Sequence, residues 1–293
     1  MTDQAESTPH LLMSPPDHFE VSYAINPWME PARWAEDATR LARDATEGWN
    51  ALKACYENLG ARVTVQPPAR GWPDLVFTAN AAIVLDGKCV LSRFRHPQRV
   101  GEEPLNQKFF EQLKAEGVID EIHHMPHGVY FEGAGDAVID LQRRLIWTGH
   151  GPRSSFVAAE TLAERFQLPA LPLQLIDPRY YHLDTCFCLL SGGELMVYPG
   201  AFLPDEFALI REHAGADLIE VSPEDAQLLA ANAVCIGRDV VMCHAGDALR
   251  HTLERRGYRV HVIPLGSFNR SGGAACCLTL RLDQIWRGRR RHA

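Results

Sequence analysis

The chain has 293 residues, enough for one large α/β domain with a substantial buried core or for two smaller ones. Its 29 Lys plus Arg against 37 Asp plus Glu give a formal net charge of −8, without the basic excess that neutralises a phosphate backbone, so no nucleic acid partner is expected. The longest uncharged stretch, residues 226–237, falls short of the roughly 20 apolar residues that span a bilayer, so no membrane partner is expected either.

Residues 1–10, MTDQAESTPH, are polar and lack the basic start and apolar run of a secretory signal. They read as a flexible tail on a cytoplasmic protein, whose eight cysteines are then thiols. The following HLLMSPPDHFEVSYAINPWMEP holds too many prolines for a continuous helix and reads as a short strand and a loop. Pro31 then opens a long helix in which Trp34, Leu41, Trp49, Leu52, Tyr56 and Leu59 recur near helical spacing, closed by Gly60.

From residue 76 one phrase repeats: an apolar run, a tight polar turn and a second apolar run, the pattern of a β-hairpin. Its copies are ANAAIVLDGKCVLSRF, GDAVIDLQRRLIWTGH, DTCFCLLSGGELMVYPG and ANAVCIGRDVVMCHAG, and SGGAACCLTLRL repeats the opening half. Measured at Asn80, Asp136, Asp184, Asn232 and Ala274, the steps are 56, 48, 48 and 42 residues, which marks a repeat architecture. Helical segments fall between the copies at 103–117, 156–167, 205–215, 222–231 and 247–257. Ser222, Pro223, Glu224 and Asp225 place a cap, a first-turn proline and two early carboxylates at one helix start. Five ββα-type units predict one closed, pseudo-symmetric α/β domain over 11–286. The basic RGRRRHA, 287–293, reads as a flexible tail.

In such a ring the residues before each hairpin's first strand converge on one mouth. The five entrances VFTANA, FEGAGDA, YHLDTC, LAANA and SGGAAC offer Asn80, Glu132, Asp136, His182, Asp184, Asn232 and Cys276. A thiol, an imidazole and carboxylates together suit nucleophilic attack on something cationic. Cys276 follows Gly272 and Gly273, which let a ligand come close. On an extended strand Cys277 points the opposite way, so Cys276 is expected at the mouth and Cys277 in the core, with Cys186, Cys188, Cys235 and Cys243. His182 and Asp184, two apart, share a face of an extended segment, where an imidazole can accept or donate a proton near neutral pH. His123, His124, His127, Cys186 and Cys188 lack zinc-site spacing, and neither EGAGD nor SGGAACC matches a nucleotide-binding loop. No metal site is expected.

Taken together, PDLVFTANA, FEGAGD, YHLDTC and SGGAACC resemble the guanidino-group modifying superfamily of arginine deiminases, dimethylarginine dimethylaminohydrolases and amidinotransferases. The resemblance covers roughly residues 10–285 and implies a five-unit α/β propeller, the pentein fold. It implies Cys276 as nucleophile, His182 as acid and base, and Glu132 and Asp184 as carboxylates gripping the guanidinium. MSPPDHFEVSYAINPWME and VFTANA are most similar to the arginine dihydrolases, which have an asparagine where Asn80 stands and a second that matches Asn26. The same resemblance implies that Arg93 and Arg153 hold the α-carboxylate of the substrate, an arginine or substituted arginine.

The implied activity is a covalent thiol hydrolase of L-arginine, without cofactor, that yields ornithine, ammonia and carbon dioxide. Dimethylargininase or arginine deiminase activity, giving citrulline, is the nearest alternative. An amidinotransferase would use an amine in place of water, and an arginine-binding sensor would keep the carboxylates and arginines without using the thiol. The sequence leaves the oligomeric state open.

Overall fold

In the computed structural model, which describes residues 8–286, each hairpin copy supplies the first two strands of a three-stranded sheet. The chain enters through β1 (His10–Met13) and reaches β2 (Arg62–Val65) by way of helices Pro31–Ala35 and Ala38–Asn58. The four copies follow as β3 (Ala82–Leu85), β4 (Lys88–Leu91) and β5 (Glu121–His123), then β6 (Ala137–Asp140), β7 (Leu145–His150) and β8 (Ala170–Gln174). Next come β9 (Phe187–Leu189), β10 (Leu195–Val197) and β11 (Leu218–Glu220), and β12 (Val234–Ile236), β13 (Asp239–Met242) and β14 (Arg259–Val262). In each sheet the hairpin is antiparallel, a helix leads out of its second strand, and the third strand returns parallel to that second strand. The repeating unit is therefore ββαβ, one strand longer than the sequence predicts. Those third strands are short and partly exposed, as in RVHV and EIH, and carry little alternation to betray them.

The last sheet joins the two ends of the chain. β15 (Leu280–Arg281) pairs antiparallel with β1, and β1 pairs parallel with β2. The half-copy beginning at Ser271 thus finds its missing strands at the opposite end of the sequence. His10 belongs to β1, so the tail expected over 1–10 ends earlier; residues 1–7 and the basic segment 287–293 lie outside the described residues.

Two helices differ from expectation. The one beginning at Pro31 breaks before Ala38, because Asp37 takes φ −147° and ψ 35° and its carboxylate turns to Arg40. Beyond the break, Leu41, Ala45, Trp49, Leu52 and Tyr56 bury a single face, each large apolar side chain contributing about 1.5–3 kcal/mol. The helix expected over 222–231 is confined to Pro223–Ala226, where Ser222 Oγ accepts from Asp225 N, since Leu229 turns into the left-handed region at φ 56°.

Short helical turns, Thr78–Asn80, Gly133–Gly135 and Leu183–Thr185, precede three of the hairpins. Hydrogen bonds join the five entrances in a closed circuit. Asn80 Nδ2 donates to Glu132 O at 3.4 Å, Leu183 N to Asp136 Oδ1 at 3.1 Å, and Asn232 Nδ2 to Asp184 O at 2.9 Å. Cys276 N then donates to Asn232 O, and Ala79 N to Cys277 O. This circuit brings the entrance residues of all five units to one place. Among the described residues, no helix is long and apolar enough to cross a membrane.

Candidate active site

Glu132 and His182, contributed by adjacent units, meet at 2.8 Å between Oε2 and Nε2, both fully buried. Arg153 Nη1 donates to the same oxygen at 2.9 Å, and its guanidinium lies 4.6 Å from the centre of the Tyr181 ring. Burial pushes the Glu132 carboxyl up, but the charge of Arg153 and the hydrogen bond from His182 outweigh it and hold Glu132 well below the usual carboxylate range. Glu132 Oε2 thus holds both the His182 imidazole and the Arg153 guanidinium in place. Asp136 helps to build the turn, accepting from Ser154 Oγ at 2.5 Å, while Ser154 Oγ accepts from Glu132 N. Burial raises Asp136 to about 6.

Asn80 is held from its oxygen side. Arg99 Nη1 donates to Asn80 Oδ1 at 2.8 Å, which turns the amide nitrogen toward Glu132. Gly135 makes the room: a Cβ there would stand 2.3 Å from Asn80 Nδ2. Arg99 is itself clamped, donating from Nε and Nη2 to the two oxygens of Glu102, each at 2.8 Å. It also donates to Asp74 O, and Asp74 Oδ2 accepts from Tyr23 OH at 2.8 Å. Asp74 Oδ1 is buried without a hydrogen-bond partner. Arg93 is absent from this cluster. Its backbone is bridged to Phe131, and its guanidinium makes no hydrogen bond or ion pair with the described residues. Arg99, six residues on, is the arginine that enters this cluster.

The two cysteines diverge in the opposite sense to the expected one. Cys277 Sγ donates to Asp184 Oδ2 at 3.1 Å and lies 3.0 Å from Asn232 Nδ2. Cys276 lines a separate cavity of about 130 Å³ with Ala134, Ala137, Phe187, Cys188, Ala233 and Cys235, which includes none of Asn80, Glu132, His182 or Asp184. The expected alternation fails because residues 274–279 are a turn, not a strand: Leu278 N returns to Ala274 O and Thr279 N to Cys276 O. Burial and the neighbouring Asp184 push both thiols well above the ordinary cysteine value. Burial likewise raises Asp184 to about 7, the hydrogen bonds from Cys277, Asn232 and Cys276 offsetting only part of it. Asp184 Oδ1 has no partner.

The segment before the first helix straps these elements together. Asn26 Nδ2 donates to Ser271 O at 3.0 Å, its Oδ1 accepts from Trp28 N, and Ile25 O accepts from Arg153 Nη2. Trp28 Nε1 reaches Arg179 O at 2.7 Å. Of the expected site residues, Asn26, Asn80, Glu132, Arg153, His182 and Asp184 lie around the mouth. Asp74, which stands in PDLVFTANA, and Arg99, two residues beyond LSRFRHP, are not among the expected residues.

A buried thiol beside one carboxylate, and an imidazole held by another, at the mouth of a five-sheet α/β fold define a member of the guanidino-group modifying superfamily. The chain belongs to the family described as N,N dimethylarginine dimethylhydrolase, eukaryotic, which it matches over residues 15–283. It is 43% identical over 275 residues to the bifunctional arginine dihydrolase/ornithine cyclodeaminase AgrE of Nostoc sp., covering 93% of this chain and 38% of AgrE. It thus spans under two-fifths of the length of that relative. It is 32% identical over 273 residues to the N(G),N(G)-dimethylarginine dimethylaminohydrolase of Mycobacterium tuberculosis, covering 92% of this chain and 84% of that protein. The crystal structure of the N-terminal domain of ArgZ, an arginine dihydrolase from the ornithine-ammonia cycle in Cyanobacteria, matches with a TM-score of 0.86 and 39% identity, over 95% of this chain and 99% of that one. That structure is a cysteine-to-serine variant bound to substrate, and an asparagine-to-serine variant of the same domain is covalently bonded to a reaction intermediate.

Proposed function

We propose that this chain is a cytoplasmic arginine dihydrolase, with residues 10–286 forming one catalytic domain arranged as a five-unit α/β propeller. The closed circuit of entrance turns supports the propeller arrangement, and eight free cysteines fit a reducing compartment. One observation carries the choice of reaction: the amide of Asn80, its oxygen taken by Arg99, directs its nitrogen to the Glu132 side of the site. The relatives AgrE and ArgZ, both described as arginine dihydrolases, support it.

In this reading Cys277 replaces Cys276 as the nucleophile. A guanidinium is delocalised and a poor electrophile, so carboxylates must hold its plane. Glu132 and the unpartnered oxygen of Asp184 do so. Asp74 Oδ1 receives the α-ammonium, and Arg99 and Arg153 face the α-carboxylate. The incoming cation favours the Cys277 thiolate, the thiol proton passing to His182; the sulfur bonds to the central carbon, a C–N bond breaks, and ammonia leaves with that proton from His182. Water deprotonated by His182 then forms the C–O bond as the C–S bond breaks. Asn80 Nδ2 donates to the resulting ureido oxygen and retains it for a second round. Arginine and two waters become ornithine, carbon dioxide and two ammonia.

Mass analysis of products from isotopically labelled arginine tests the assignment: ornithine is expected, and stoichiometric citrulline would overturn it. The family match favours dimethylargininase as the second reading, which requires dimethylamine and citrulline from a methylated substrate.

A further inference from the structure

Asn232 stands at the fourth entrance, fully buried, at the repeat position that Asn80, Asp136 and Asp184 occupy in the other units. Its oxygen accepts from two amides of the nucleophile turn, Ala274 N at 2.9 Å and Cys277 N at 3.1 Å. These two donors leave a single orientation for the amide, so the nitrogen must face Asp184 O at 2.9 Å and Cys277 Sγ at 3.0 Å. One side chain therefore holds the turn that carries the thiol and directs an N–H at its sulfur.

We infer that Asn232 governs the nucleophile of this enzyme, locking Cys277 against Asp184 and stabilising its thiolate through the Nδ2–H···S contact. The inference rests on the reading of Cys277 as nucleophile. The surroundings of the sulfur make such a donor necessary. Asp184, the carboxylate in contact with the thiol, disfavours a second negative charge, and Tyr181 beside the same turn spends its hydroxyl on Ser271 O and Gly272 O. Asn232 is the neutral donor within reach of the sulfur. A carboxylate could hold the turn equally well, as Asp136 shows at the matching position by accepting from Leu183 N, but it would repel a thiolate. The amide alone serves both purposes.

Asn232→Asp separates them, because it keeps an acceptor for Ala274 N and Cys277 N and removes the donor to sulfur. Alkylation of Cys277 by iodoacetamide, followed by peptide mass analysis across pH in a Cys276→Ser background, reads the thiolate population. The expected result is a midpoint at least about one pH unit higher than in the parent, with kcat down tenfold or more and KM within threefold. Asn232→Ser, which adds no buried charge, gives the same direction of change and covers the case in which the aspartate variant does not fold. A folded variant with an unchanged midpoint overturns the inference, even if kcat falls, since the amide would then act only as a clamp. The underlying reading has its own check: full turnover by Cys277→Ser would remove the nucleophile assignment irrespective of Asn232.

Discussion

Cys277 Sγ and Asp184 Oδ2, both buried, lie 3.1 Å apart, and the second oxygen of Asp184 has no hydrogen-bond partner. Both groups are acids whose anions cost free energy here, and each anion makes the other more costly. A guanidinium entering between them changes that balance, because a delocalised cation can pair with Asp184 and lower the cost of the thiolate at the same time. In the proposed reading, the thiol of Cys277 is therefore favoured in the absence of substrate and the thiolate is favoured when a guanidinium pairs with Asp184.

Cys277→Ser should abolish turnover while arginine still binds, because a hydroxyl is far less nucleophilic and the grip on the substrate lies in other side chains. Cys276→Ser, on the wall of a separate cavity, should keep activity within about threefold of wild type. Calorimetric binding and a quenched-reaction mass scan check both, with an adduct mass expected on the peptide only when Cys277 is present.

Asp184→Asn should be inactive yet more stable than wild type at pH 8. The folded state raises Asp184 from 3.8 to about 7, so its favourable contribution is complete below the unfolded value and is lost as pH rises through 7. A shift of about three units corresponds to a difference on the order of 4 kcal/mol, or a Tm higher by roughly 5 °C in the variant at pH 8. At pH 4 the two melting curves should nearly coincide. In the wild type, kcat/KM should fall as pH drops below 7, where neutral Asp184 no longer pairs with the substrate cation. A flat profile between pH 5 and 8 would contradict this.

Much of this site can be read along the sequence because the repeat puts chemically unusual residues in equivalent places: Asn80, Asp136, Asp184 and Asn232 recur at hairpin entrances, and the hairpins are plain from their alternation. The choice between Cys276 and Cys277 was not readable, since it depends on whether residues 274–279 run extended or turn. Hydrogen bonds from Leu278 N and Thr279 N decide that, with no signature in composition. Arg99 escaped for a related reason. Arg93, Arg95 and Arg99 crowd one stretch, and only the helix start at Pro97 and the partner Glu102 select the buried one. The short strand after the N-terminal tail is legible as β1, but its pairing with β15 is not, because that partner lies at the other end of the chain.

Arg99→Lys should cut kcat/KM by roughly a hundredfold, because a lysine cannot bond both oxygens of Glu102 and Asn80 Oδ1 at once. Arg93→Ala should remain within about threefold, as its side chain has no hydrogen-bond partner among the described residues. Steady-state kinetics on the two variants, with circular dichroism to confirm folding, decides between the arginines. The reverse ranking would return Arg93 to the substrate site.

Asn80→Asp should convert a producer of ornithine into a producer of citrulline. The substitution is nearly isosteric, and the fold should accept it, because Arg99 Nη1 already donates to the oxygen at this position and would pair with the new charge. The nitrogen side carries the difference. In the wild type Nδ2 is an N–H donor beside the main chain of Glu132, suited to a neutral ureido oxygen once the first ammonia has left. An aspartate presents an acceptor there instead, which holds a guanidinium firmly but has nothing to offer a ureido oxygen. Arginine should therefore still bind and react once, whereas citrulline should dissociate before a second attack. Loss of one hydrogen bond to a neutral group, about 1–3 kcal/mol where the partner is left unpaired, is enough to shift the partition between release and second attack by roughly ten- to a hundredfold. Amino-acid analysis of a single-turnover reaction measures that partition directly, and an ornithine yield unchanged by Asn80→Asp would show that retention of the intermediate depends on another residue.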